Sequence, residues 1–441
     1  MVTSFSAIWS QGSRNHNEFA KKRVTEACIY DPAAERAVVK RLDKRLLLFA
    51  MFGNMVKTLD NTNLASAFIS GMEEELQVTG LEYNWMGVAF MIGYLLMQIP
   101  SNLLLSRVRP SVYLPCLEML WCVLTLAMAC AQSVRSVLCI RLLLGLAEAG
   151  FYPGIIFLIG TWYTKRELGK RLALLNICGS LGSGLSGVIQ AFMLKTMDGV
   201  WNISGWRWMF FFDATITFIL ALVGYHVLPD YPNNTAWLSK SEQAIATGRT
   251  EKDGKEFKRN GQFLAPLKKL YSNHYLYLFM VGWASLHIAL GACTVLGIVS
   301  KKLGYGAVTA NLLGGPDTLI TMIAGVCNGF SSDYFQTRIW CILIPATVGL
   351  IGCCMLSVFV QPFGLLYFGF ILTHAGLGCV SSIIMTYATE TISKNADIRA
   401  MAIAIMNTSS SSMWLWTPLV LWPVTDAPYY RMFAMLILDD T

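Results

Sequence analysis

Charge is what this sequence lacks. Asp, Glu, Lys and Arg make up 14% of its 441 residues, against about a quarter in an ordinary soluble domain. A folded chain so poor in charge cannot coat itself against water, and the acyl chains of a bilayer supply the apolar surroundings it needs. Other absences narrow the reading. The twelve cysteines form no CxxC, and Cys116, Cys122, Cys130, Cys139, Cys178 and Cys379 lie inside apolar runs, where they read as small hydrophobes. No His cluster has metal-ligand spacing, no nucleophile is set beside a base, and no GK[ST] ends a phosphate-cradling loop. An enzyme is therefore not expected, nor a cofactor or a metal. Residues 1–45 are polar and basic without a cleavable apolar core, so targeting falls to the first membrane segment.

What the chain has instead is apolar length. Runs of about 20 residues, enough to cross a bilayer, occur at 46–72, 85–105, 112–132, 137–162, 172–193 and 208–228, then at 275–299, 312–331, 339–360, 363–388 and 401–423. A polar tail, 1–45, precedes a six-helix bundle at 46–228. A lysine-rich segment, 229–274, separates it from a second bundle, 275–441. The last apolar stretch, 432–438, is too short to span, so eleven full spans are expected with a twelfth incomplete. Of the 34 Lys and Arg, only Arg135, Lys195, Arg207, Lys301, Lys302 and Arg431 fall on the outer side if the N-terminus is inside. The segment after the first span adds Glu73, Glu74, Glu75 and Glu82 and no base. This asymmetry predicts a cytoplasmic N-terminus and reads the formal charge of +7 as a membrane anchor rather than a nucleic-acid surface.

The two halves echo each other. NLLLSRVRPS (102–111) follows the second span and GFSSDYFQTR (329–338) the eighth, each a short basic loop between spans. Paired bundles of this kind are a transporter architecture. KTLDNTNLASAFISGMEEEL (57–76), IPSNLLLSRVRPSVYLPCLE (99–118), RLLLGLAEAGFYPG (141–154), GWRWMFFFDA (205–214) and LPDYP (228–232) resemble the anion:cation symporter branch of the major facilitator superfamily. The start of the first segment looks closest to the fungal pantothenate permeases. That resemblance implies an all-α fold of two six-helix halves around a central cavity, with proton-driven uptake of a small organic anion by a monomer in the plasma membrane. It also makes Arg107, Arg109, Asp333 and Arg338 candidate gating residues of the two loops. Ser106 departs from the aspartate usual in the first loop, and Asn61 stands where most of the branch has a base.

An ionisable group in hydrocarbon costs about 2.5–3.5 kcal/mol on insertion scales, so its position is informative. Lys57 and Asp60 are three residues apart, on one helical face with Asn61 and Asn63 nearby. They read as carboxylate attractor and proton carrier, or as a pair that neutralises itself. Arg141 and Glu148 are two turns apart, about 10.5 Å, too far for a good mutual pair. Each therefore needs a partner on another helix or in the cavity. Asp317, after Gly314, Gly315 and Pro316, marks a helix break suited to ligands. His374 and His287 are possible proton groups, or else interhelical hydrogen bonders. Glu118 and Asp213 read as structural hydrogen bonders, and Glu390 as solvated. GSLGSGLSG (179–187) reads as close helix packing; it lacks the Gly-Pro element of drug exporters. Export of a secondary metabolite and non-transporting nutrient reception stay open as alternatives to uptake.

Overall fold

The computed structural model describes residues 32–105, 108–232, 234–252, 271–335, 337–392 and 396–430. Helices stand at all eleven expected positions, and the described residues contain no strand. In chain order they are α1 (Leu48–Ala67), α2 (Glu82–Leu105), α3 (Pro110–Ala129), α4 (Val134–Trp162), α5 (Lys165–Thr196), α6 (Gly205–Val227), α7 (His274–Lys302), α8 (Gly314–Phe335), α9 (Ile339–Ser357), α10 (Phe363–Ile392) and α11 (Ala396–Met413). Seven of them, α3 to α7, α9 and α10, are by length and composition able to cross a membrane.

The polarity of the bundle is reversed relative to a water-soluble protein. Ile92, Leu96 and Ile99 form an exposed stripe on α2, as Phe218, Ile219, Leu222 and Val223 do on α6, while Lys57, Asp60, Glu118, Arg141, Glu148, Asp213 and Asp317 are buried. Only an apolar solvent favours that arrangement, because there the polar groups must find each other.

The helices are interrupted where the sequence demands it. α4 breaks at Ala149–Gly150 and resumes at Phe151. A 3-10 turn, Ala292–Val295, interrupts α7. A short helix, Ala307–Leu312, leads into α8, so the break expected near Gly314 is a single turn residue, Leu313. The eleventh helix corrects the sequence reading of 401–423: it ends at Met413, and Thr417–Val420 is a separate turn. Pro418 is the cause, since it lacks an N–H and sits in the first turn of a new helix.

Glycines let α5 serve both halves. A Cβ on Gly182 would strike the carbonyl oxygen of Met55 in α1, and one on Gly187 that of Asn311 before α8. The stretch 179–187 is thus a packing surface with two faces, as its small residues predict.

One end of the bundle is fastened electrostatically. Beyond α1 the chain turns at Gly71 (φ 112°), a conformation glycine takes freely, into Glu73, Glu74 and Glu75. Lys301 Nζ lies 2.7 Å from Glu74 and Lys302 Nζ 2.9 Å from Glu73, joining the end of α7 to the segment after α1. Nearby, Asn84 Nδ2 donates to the carbonyls of Pro418 (2.7 Å) and Trp422 (2.9 Å). Phe68, Ile69, Ile298 and Ala310 seal the same level with apolar contacts.

At the opposite end, Arg249 of the peripheral helix Lys240–Lys252 is buried and donates to Glu35 (2.6 Å) and to both carboxylate oxygens of Glu167 (2.7 Å each). Glu167 also caps α5. Arg171 holds Asp43 in a two-pronged pair at 2.7 and 2.9 Å. The leading helix Pro32–Leu42 and the central segment are therefore tied to the base of α5 by arginine forks.

Candidate functional site

The buried charges of the N-terminal half converge from α1, α3, α4 and α6. Successive residues of α1 serve different neighbours. Lys57 Nζ lies over the rings of Tyr94 (5.3 Å) and Tyr152 (5.9 Å), held by cation–π attraction. One turn on, Asp60 Oδ2 accepts from the Thr125 hydroxyl at 3.1 Å, and its Oδ1 is buried without a partner. Asn61 Nδ2 donates to Glu148 Oε2 at 3.1 Å, leaving Glu148 Oε1 unpartnered. Asn63 donates to Asp213 Oδ2 (2.8 Å) and accepts from the Ser186 hydroxyl (2.8 Å). Lys57 and Asp60 share a helix but form no ion pair, so the self-neutralising pair considered from spacing is absent.

Arg141 is 4% exposed, sits over the Phe90 ring at 4.5 Å, and has an unpartnered Nε. Among the described residues no carboxylate lies within 4.0 Å of it, yet Asp60 and Glu148 both exert Coulombic attraction on it. The fork is thus suspended between two acids without being committed to either. Gly145 brings this helix close: a Cβ there would collide with the carbonyl of Phe90, and one on Gly93 with that of Leu142. The α2 and α4 backbones therefore touch beside Arg141.

Charge is unbalanced in this core. Among the described residues the buried acids of this core are Asp60, Glu118, Glu148 and Asp213, against Lys57 and Arg141 as its buried bases. Glu118 has neither oxygen hydrogen-bonded, correcting its reading as a structural hydrogen bonder. Its neighbours are Phe151 and Gly53, an apolar wall. Asp213, read the same way, does have its partner in Asn63.

Among the described residues the C-terminal half holds one further buried acid. Asp317 Oδ2 lies 2.7 Å from His374 Nδ1, joining α8 to α10, so two separately chosen candidates form one pair. His287 instead bonds the Trp283 carbonyl of its own helix at 2.9 Å and makes no interhelical bond among the described residues. Of the loop residues, Arg109 is exposed at the start of α3, while Arg107 and the Asp333 side chain lie outside the described residues. Arg338 bonds the Ser332 hydroxyl (2.6 Å) and Glu390 (3.0 Å), so Glu390 is exposed as expected and is paired as well.

Sequence reasoning passed over Phe90, Tyr94 and Thr125. Phe90 and Tyr94 are four apart on α2 and stack at 6.1 Å; their spacing places them on one face, but nothing in it says which cation they meet.

An all-helical bundle with an apolar outer surface and charges buried within is built like a membrane transporter. The chain belongs to the Major Facilitator Superfamily, whose model matches residues 50–418. Curated relatives include MFS transporter PfmaC of Pestalotiopsis fici, 28% identical over 90% of this chain and 76% of that protein. The vitamin H transporter of Saccharomyces cerevisiae is 24% identical over 95% and 73%, and pantothenate transporter liz1 of Schizosaccharomyces pombe 23% identical over 90% and 78%. The fold is that of a bacterial homologue of the human lysosomal transporter Spinster (TM-score 0.67, 14% identity, 89% of this chain and 82% of that one). It is also that of the xylose transporter XylE from E. coli (TM-score 0.65, 16% identity, 89% and 93%). The protein is a multi-pass membrane transporter and not an enzyme.

Proposed function

We propose that this transporter takes up a small organic anion with protons, the substrate being a vitamin-like carboxylate of the pantothenate type. The observation that carries the proposal is the charge imbalance of the N-terminal core, four buried acids against two buried bases. A bare carboxylate in hydrocarbon is costly, and bound protons offset the surplus. Asp60 and Glu148, each with one unpartnered buried oxygen, are the proton carriers; Arg141, poised between them, answers whichever is ionised. Lys57 has aromatic neighbours and, among the described residues, no carboxylate within 4.0 Å, and so offers its charge to an incoming carboxylate. The named vitamin transporters among the relatives support the substrate class.

In this reading the end closed by Glu73, Glu74, Lys301 and Lys302 faces the exterior, the N-terminus is cytoplasmic, the membrane is the plasma membrane, and the protein acts as a monomer. A monoanion that enters with two protons carries one net positive charge inward, so an inside-negative potential contributes about 2.3 kcal/mol per 100 mV. The test is uptake of labelled pantothenate in permease-deficient yeast. Wild-type uptake should rise as external pH falls from 7 to 5 and collapse with a protonophore. Asp60→Asn and Glu148→Gln should each lose at least tenfold in proton-driven uptake. Equal uptake with and without a proton gradient would overturn the coupling.

A further inference from the structure

The helix leading into α1 carries more bases than the protein itself uses. Pro32–Leu42 runs on through a π-helical turn, Asp43–Leu47, into α1, with right-handed helical backbone at each join. Its bases Arg36, Lys40, Arg41, Lys44 and Arg45 therefore stand on one rod that continues a membrane span. Two of them are committed: Arg41 pairs with Glu242 at 2.8 Å, and Arg45 lies over the Trp237 ring at 4.5 Å. Arg36, Lys40 and Lys44 are exposed and, among the described residues, have no carboxylate within 4.0 Å.

The acids of this end are engaged elsewhere. Glu35 takes Arg249 at 2.6 Å, Glu167 shares that arginine, and Asp43 takes Arg171 at 2.7 Å. Charge is thereby segregated around the helix. Val38, Leu42 and Leu46 are buried in one apolar cluster with Trp162 and Ile245, which fixes the helix's rotation. Arg36, Lys40 and Lys44 each lie two residues before one of these, on the opposite face, and so point away from the protein. Steps of four residues place the three like charges about 6 Å apart, a spacing at which they repel. An anion laid along them turns that repulsion into attraction.

Height above the membrane decides which anion. Leu46 begins the apolar run, and from it Lys44 stands about 3 Å, Lys40 about 9 Å and Arg36 about 15 Å along the helix. The headgroup layer beyond the hydrocarbon is about 5–8 Å thick. Lys44 thus sits among the phosphodiesters, while Lys40 and Arg36 stand above them. A headgroup whose phosphate lies at one height meets one rung of this ladder. An inositol ring bearing phosphomonoesters carries charge from the diester outward and meets all three.

We propose that Arg36, Lys40 and Lys44 form a docking stripe for the headgroup of a polyphosphorylated inositol phospholipid. The bound headgroup braces the leading helix and, through Glu35–Arg249 and Arg41–Glu242, the helix Lys240–Lys252 of the central segment. That the lipid belongs to the cytoplasmic leaflet rests on the proposed orientation; the charge of the stripe does not.

The test uses the purified full chain in a neutral detergent and a fluorescent phosphatidylinositol 4,5-bisphosphate, read by anisotropy. Arg36→Gln/Lys40→Gln/Lys44→Gln should bind the lipid at least about tenfold more weakly than wild type, since each base near an anionic headgroup adds attraction. Arg135→Gln/Lys195→Gln, which removes two exposed bases from the opposite end, should leave the affinity unchanged. Wild-type affinity should fall as salt is raised. A single symmetric peak in gel filtration establishes folding, and if the triple variant fails it, Lys40→Glu alone decides. Unchanged affinity in a folded variant overturns the stripe. Equal affinity for phosphatidylserine overturns the inositol headgroup, and equal affinity for soluble inositol trisphosphate overturns the lipid as its source. In intact cells, an antibody that reached an N-terminal tag from outside would overturn the proposed orientation and leave the binding result standing.

Discussion

In the proposed function, Lys57 is the residue on which substrate choice turns. It is 9% exposed, faces two tyrosine rings and has no acidic partner in contact, whereas a lysine kept only for packing would be expected to be paired. Lys57→Gln keeps the length and hydrogen-bonding capacity and removes the charge. The expected outcome is a KM for a carboxylate substrate raised about tenfold, equivalent to about 1.4 kcal/mol, with maximal uptake little changed; a neutral analogue should be insensitive to the change. Concentration-dependent uptake in whole cells checks both. Tyr152 fixes the geometry by donating its hydroxyl to Asn176 Oδ1 at 2.9 Å, so Tyr152→Phe should weaken the same affinity by a smaller factor.

At the scale of the element, α4 shows what a sequence discloses and what it withholds. The spacing of Arg141, Gly145 and Glu148 places them on one face, and the structure puts all three toward the core. The helix period therefore made the face legible. Partners were not legible, because they come from α1 and α2 and depend on how helices rotate against each other. Asn61 meeting Glu148 and Phe90 meeting Arg141 are contacts between residues more than fifty apart in the chain. The eleven helices were legible because apolar length and the bilayer's thickness are directly matched; the end of α11 was missed because an apolar count does not see the backbone demand of Pro418. The close approach at Gly145 makes a sharp prediction. Gly145→Leu should prevent α2 and α4 from meeting and abolish accumulation of folded protein, read by fluorescence-detection gel filtration of a tagged chain. Gly145→Ala should already lower the melting temperature, because even a methyl group would collide with the Phe90 carbonyl.

For the whole molecule, the acidic turn after α1 and the lysines ending α7 decide how readily one end opens. Glu74 is partly buried, which pushes its carboxyl up, but the hydrogen bond and charge of Lys301 outweigh this and hold it below its ordinary value of 4.5. Glu75 behaves likewise, with burial opposed by hydrogen bonds from Ser204, Trp206 and Arg207. A depressed carboxylate stabilises the closed form above its unperturbed value and ceases to do so as pH falls through its own lower one. The fastening should thus survive mildly acidic medium and be lost only as pH falls below the ordinary 4.5. Lys301→Glu/Lys302→Glu should raise labelling of a cysteine placed at Ala307 by an impermeant maleimide several-fold. Adding Glu73→Lys/Glu74→Lys should restore the low labelling, which loss of folding would not.

The two lysine–glutamate contacts have a consequence for the medium around the cell. They lie at a water-facing rim, where the Debye length is about 8 Å at physiological ionic strength and about 3 Å at 1 M salt. Brine would thin the attraction that shuts this mouth while leaving the dry, uncharged seam of Phe68, Ile69, Ile298 and Ala310 intact. The balance between the molecule's two openings is therefore tuned by salinity, and in the proposed orientation, with this rim outside, concentrated brine would hold more copies open at this end.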